Sequence, residues 1–110
     1  MDDEATVRRE FGDAVNMTPK ELERWLATDE SKSVGAGKDG GGESVGHESG
    51  RKIVAIAGKK QAELSDDDYA HMRKVVGYVH RHLAQGGPEE GKEHSPWRYS
   101  LMNWGHDPLK

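Results

Sequence analysis

The stretch from Ser65 to Pro88 constrains the chain most, because every local signal in it points to one long helix. Ser65 is a good N-cap. Asp66, Asp67 and Asp68 fill the first turn and His80, Arg81 and His82 the last, each sign where the helix dipole favours it. Gly86-Gly87-Pro88 stops the helix. Tyr69, Met72, Val76, Val79 and Leu83 recur at helical spacing and form a single apolar stripe. One such stripe cannot bury itself, so the rest of the chain must supply faces of the same period.

It supplies several. Val7, Phe11 and Val15, with Ala14 beside them, predict a helix over 3–15 that starts at Asp3 and Glu4 and that Asn16 can end in a left-handed conformation. Thr18-Pro19-Lys20-Glu21 combines a capping hydroxyl, a proline at the first helical position and a glutamate placed to reach back to the Thr18 amide. Leu22, Trp25 and Leu26 continue it as a stripe ending near Thr28. A third helix is expected from about His47–Ser49 to Gln61 with Ile53, Ile56 and Ala57 inward. Ser95-Pro96 repeats the cap-plus-proline start, and Trp97, Leu101 and Trp104 give a short C-terminal helical segment an apolar face. No stretch alternates as a strand would. The expected fold is all-α: four helices plus the C-terminal segment, in one domain over residues 1–110, with a flexible Gly-rich loop at about 30–46 and a polar linker at about 87–94.

Composition narrows the chemistry. Only 33% of the residues are hydrophobic and 33% are charged, so the core is thin. With no cysteine, a disulfide framework and a thiolate site are both excluded. The longest apolar run, Ile53 to Ala57, is far short of the roughly 20 residues needed to cross a bilayer, and the acidic start Met1-Asp2-Asp3-Glu4 is unlike a basic signal peptide. A cytoplasmic protein with no membrane association is the expectation. Gly42-Glu43-Ser44-Val45-Gly46 matches the pattern of a nucleophile elbow, but that device needs a strand-to-helix turn on a parallel sheet. Gly35-Ala36-Gly37-Lys38 lacks the spacing and the hydroxyl residue of a phosphate loop. His80 and His82 are two apart on a helix and cannot share an ion. The expectation is therefore no enzyme, no catalytic residue, no metal and no cofactor.

Charge offers more. Residues 1–50 carry six Lys/Arg against twelve Asp/Glu, whereas residues 51–110 carry ten against eight, so any polyanion site belongs in the second half. The pI near 5.8 is well below the value above about 9 of a dedicated nucleic-acid domain and counts against a polyanion partner. Around the 65–85 helix, at about 100° per residue, Lys74, Arg81, Tyr78, His71 and His82 fall on one side, away from the apolar stripe, and Arg73 and His80 flank that stripe. Gly77 and Ala70 leave room for close approach, and Arg51, Lys52, Lys59 and Lys60 can add to the field. Such donors suit phosphate, and the same face can equally be a solvated charged surface. The candidate nucleic-acid-binding residues are Arg51, Lys52, Arg73, Lys74, Tyr78, Arg81 and His82, and the expected partner is DNA through its phosphate backbone. The alternative is a protein-interaction module using the C-terminal Trp97, Tyr99 and Trp104 segment.

Four strings extend the reading: Asn16 to Glu23, Glu43 to Val54, His71 to Tyr78 with His80 to Gln85, and Asn103 to Asp107. Together they resemble a family of small microbial proteins of unknown function whose members are labelled as candidate DNA-binding proteins. The resemblance spans nearly the whole chain. It implies a DNA partner and supplies no catalytic residues.

Overall fold

The computed structural model describes residues 3–34 and 45–110, and among these it contains six α-helices, two 3-10 turns and no strand. The helices are α1 (Glu4–Ala14), α2 (Pro19–Leu26), α3 (Asp29–Ser33), α4 (Val45–Ala57), α5 (Asp66–Gln85) and α6 (Pro96–Asn103). The all-α expectation is met.

The start signals act as their chemistry requires. Asp3 caps α1 by accepting from the Thr6 amide at 2.7 Å. At α2 the Thr18 hydroxyl accepts from the Glu21 amide at 3.1 Å, and the Glu21 carboxylate accepts from the Thr18 amide at 2.8 Å. Ser65 and Asp68 form the same reciprocal pair at α5. Five backbone N–H groups are thus satisfied by side chains three residues away, which is why these boundaries are readable locally.

The core is built from two helix pairs, α1 on α5 and α2 on α4, with α6 packed against α2, α3, α4 and α5. Val7, Phe11, Leu22, Leu26, Ile53, Ile56, Tyr69, Met72, Val75, Val76, Val79, Leu101 and Trp104 form one buried cluster. Two glycines let α4 close on its neighbours. A Cβ at Gly50 would lie 2.6 Å from Leu26 Cδ2 and 2.7 Å from the Asn103 carbonyl oxygen, and one at Gly46 would lie 3.2 Å from Trp104 Nε1. Helix propensity disfavours both glycines, and packing requires them.

Several expectations need correction. The Gly-rich loop begins later than about residue 30, because Thr28 caps Ser31 and Asp29–Ser33 form α3. A five-residue helix has no stability of its own. Buried Asn103 holds this one: its Oδ1 accepts from the Ser31 hydroxyl and from Trp25 Nε1 (2.8 Å), and its Nδ2 donates to the Ser31 carbonyl (3.1 Å). Residues 35–44, which carry the remainder of that loop, the Gly35–Lys38 string and most of the G-x-S-x-G match, lie outside the described residues. Helix α4 starts before His47 and ends at Ala57, which is exposed, and Gln61–Glu63 form a separate 3-10 turn. On α5 the buried stripe takes in Val75, whereas Leu83 is 37% exposed at the end of the helix, beyond its packed partners. Helix α1 ends at Ala14 with Val15 as its cap and not at a left-handed Asn16, whose side chain instead ties the tail, accepting from the Asp107 amide (2.7 Å) and donating to its carbonyl (3.0 Å).

Candidate functional site

Helix α5 presents two polar faces, and the structure treats them differently. Tyr78 and His82 do not lie open on its cationic side. Helix α6 folds back over them, placing Trp104 against Tyr78 with ring centroids 4.2 Å apart and 13° between planes, and Trp97 against His82 at 6.3 Å. With Tyr78 against His82 (5.2 Å) and His71 against Trp104 (6.1 Å), five rings form one column: His71, Trp104, Tyr78, His82 and Trp97. Burial pushes the Tyr78 phenol up, opposed by a hydrogen bond with Ser100 and by the Arg81 charge. Burial pushes the His82 imidazole down, and its Nε2 has no hydrogen-bond partner among the described residues. Both residues are half-buried members of the α5–α6 interface. The periodicity that places them on one face says nothing of what covers it.

The C-terminal aromatics are engaged in the same way. Trp104 is 4% exposed, Trp97 donates from Nε1 to the His82 carbonyl at 3.0 Å, and Tyr99 lies 5.3 Å from Trp25. A Cβ on Gly87 would meet the Trp97 ring at 2.5 Å, so the stop glycine of α5 also makes the seat for α6. Arg98, beside these rings, is held in a bidentate pair with Asp107 at 3.1 and 3.0 Å.

The other face of α5 is open. From Tyr69 to Pro88 the chain has no carboxylate. Arg73, Lys74 and Arg81 are exposed and have no ion pair among the described residues. The Arg81 guanidinium lies across Gly77, where an added Cβ would sit 3.1 Å from Nη1. Lys52 joins Lys74 from α4: both line a hollow of about 510 Å³ between the two helices, together with Ala55, Ile56, Ala70 and His71 and with the carboxylates Asp67 and Asp68 at one end of α5. Lys52 also forms an exposed pair with Glu48 at 3.4 Å. Arg51 is turned away from this group and lines a separate groove with Glu23, Leu26 and His47, on the side of α4 that faces α2. Lys59 is occupied by Asp68 at 2.7 Å. The structure thus brings Lys52 and Lys74 together, keeps Arg73 and Arg81 on the same bare helix, and separates Arg51.

Two residues at this hollow were not among the candidate set. Ser49 Oγ lies 2.9 Å from His71 Nε2 at the inner end, where Glu48, Lys52, Lys74 and Trp104 complete a smaller recess of about 190 Å³. Burial pushes His71 down, and the charges of Lys52 and Lys74 add to that, while Glu48 and the Ser49 backbone pull the other way. Ser49 and His71 are 22 residues apart on different helices, so no local pattern announces the pair.

Of the remaining histidines, His94 Nδ1 lies 3.4 Å from the Tyr99 hydroxyl, and two others close helix ends. His47 Nε2 meets the Leu26 carbonyl at 2.7 Å, and His106 Nδ1 meets the Ala14 carbonyl at 2.7 Å, each ring nitrogen donating to an otherwise orphan acceptor. No group of three His, Asp or Glu side chains converges on a metal-sized position among the described residues, and no helix there is long and apolar enough to cross a membrane.

Neither a curated protein nor a solved structure matches the chain. A family model does, over residues 10–102, which takes in every helix described except the start of α1 and the last residue of α6. The chain belongs to the family described as protein of unknown function DUF3140.

Proposed function

We propose that this protein is a non-enzymatic polyanion-binding module, with duplex DNA as its partner, and that it binds phosphates along the open face of α5. The observation that carries the reading is the absence of any carboxylate from Tyr69 to Pro88 on a helix whose exposed side holds Arg73, Lys74 and Arg81. A net charge of −4 repels DNA at long range, so binding needs a surface where cations are not neutralised by neighbours. The acidic residues of α5 are confined to its first turn, where Asp68 is already committed to the Ser65 cap and to Lys59. Ala70, a small exposed residue beside Lys74, leaves room for a phosphate to come close. Contacts of this kind position a duplex without reading its sequence.

A mobility shift with duplex DNA at two salt concentrations tests it. Three or four neutralised phosphates give a log–log salt slope of roughly −3, so affinity falls by more than tenfold between about 50 and 200 mM salt. Lys74→Glu combined with Arg81→Glu should abolish the shift while leaving the thermal unfolding midpoint near that of the parent. Absence of a shift at about 50 mM salt, or binding indifferent to salt, would remove the proposal.

A further inference from the structure

We propose that the recess between α4 and α5, bounded by Ser49, Lys52, His71 and Lys74, is a seat for one phosphate-type oxyanion whose filling draws a proton onto His71. The proposal deepens the polyanion reading, on which it rests for the source of the oxyanion.

The geometry is that of a small, built site. Ser49 is 2% exposed and its hydroxyl is held by the His71 ring at 2.9 Å, so its position does not depend on solvent. His71 is oriented in turn by the Trp104 ring, 16° from parallel with it. Lys52 and Lys74 reach the same recess from facing helices. Two cations beside one imidazole disfavour a third charge while the seat is empty, and an anion between them reverses that balance.

The hydrogen bond supplies the coupling. With His71 neutral and its ring proton on Nδ1, Nε2 accepts the Ser49 hydroxyl proton. Once His71 is protonated, Nε2–H donates to Ser49 Oγ, and the hydroxyl hydrogen is released to point at the anion. One proton enters from solvent at the imidazole, and no covalent bond changes.

Other charges face the group. From α4 these are Glu48 and Lys52, and from α5 they are Asp67, Asp68 and Lys74, while α6 contributes the Trp104 indole. Asp68 is held by Lys59 and by the Ser65 amide. Glu48 sits on the rim, half-exposed in its pair with Lys52, and an incoming oxyanion replaces it as the partner of that lysine.

Sulfate is the right probe, because it is tetrahedral and does not titrate near neutrality, so any linked proton belongs to the protein. The imidazole resonances of the full chain are followed by NMR against pH in sulfate and in chloride of matched ionic strength, which removes simple screening of the lysines. Sulfate should raise the His71 midpoint by roughly one unit or more. Its affinity should strengthen up to about tenfold from pH 7 to 6, as uptake of one proton requires. Lys52→Ala with Lys74→Ala, both exposed positions, should erase the difference between the two salts. Equal midpoints in sulfate and chloride, or a difference that survives the double substitution, overturns the proposal. Duplex DNA makes the second arm. A duplex that binds without moving His71 overturns the seat and leaves the polyanion reading intact. A His71 midpoint that moves with sulfate while duplex fails to bind supports the seat and removes DNA as its source.

Discussion

On one side of α5, His71, Tyr78 and His82 stand in a column with two tryptophans. About a quarter-turn away, Lys74 and Arg81 are exposed and form no ion pair among the described residues. Both sides look polar in sequence, and both carry groups that suit an anion. They differ because α6, which follows by a short 3-10 turn, has aromatic faces to bury and finds rings on α5 that match them. A ring with one polar atom is a good interior residue when its apolar faces are covered, whereas a lysine or arginine with no partner has to stay wet. Polar residues on a helix are therefore sorted by what their side chains lose on burial, and the wheel position alone does not do the sorting.

The two faces should respond to substitution in opposite ways. The largest effect belongs to the column. Trp104→Ala removes the ring that bridges His71 and Tyr78 and should cost about 3–5 kcal/mol in urea unfolding, a large share of what a domain of this size possesses. A loss below about 1 kcal/mol would mean that α6 is not docked as described.

Gly50→Ala comes next. The added methyl meets both a leucine side chain and the Asn103 backbone oxygen, and the backbone cannot step aside, so a loss of about 1–3 kcal/mol is expected despite alanine's better helix propensity. An unchanged or raised unfolding midpoint would show that α4 and α6 are further apart.

The column should also make stability depend on pH. His82 and His71 are held below their ordinary value of 6.5 in the folded chain, both chiefly by burial. The unfolded chain takes up protons first, so the stability contributed by the neutral rings is present above about pH 6.5 and is lost as pH falls from there towards the folded-state values. Carboxylate pairs, such as Glu21 held at about 2, weaken only as pH falls through the ordinary carboxylate range near 4, so the interval from about pH 7 to 5.5 isolates the histidines. Urea midpoints should drop over that interval, and His82→Phe, which keeps the stack, should drop less. Equal slopes for the two chains would take His82 out of the column.

The smallest effect belongs to the open face. Lys74→Ala and Arg81→Ala should each change stability by no more than about 0.5 kcal/mol. A larger loss in calorimetry would show that this face is packed in solution and unavailable to a partner.

Much of the fold is legible locally. The caps at Thr18, Ser65 and Ser95, the prolines behind two of them and the 3.6-residue stripes identify five of the six helices, because each signal acts over three or four residues. Helix α3 is not legible, since its five residues carry no apolar face and depend on Asn103, 72 residues from Ser31. The candidate site was half legible. Lys74, Arg73 and Arg81 follow from the wheel, and Lys52 from its charge. The covering of Tyr78 and His82, the turning away of Arg51 and the Ser49–His71 contact all require two helices to meet.

The amino-acid order of this protein determined where helices start and stop, that nothing in it reads as a strand, and that cations gather in its second half, because capping, periodicity and charge are properties of neighbouring residues. Which face of α5 stays open was decided only when α6 closed against it. That choice depends on shape and ring geometry between segments some 20 residues apart, and no short-range interaction along the chain encodes it.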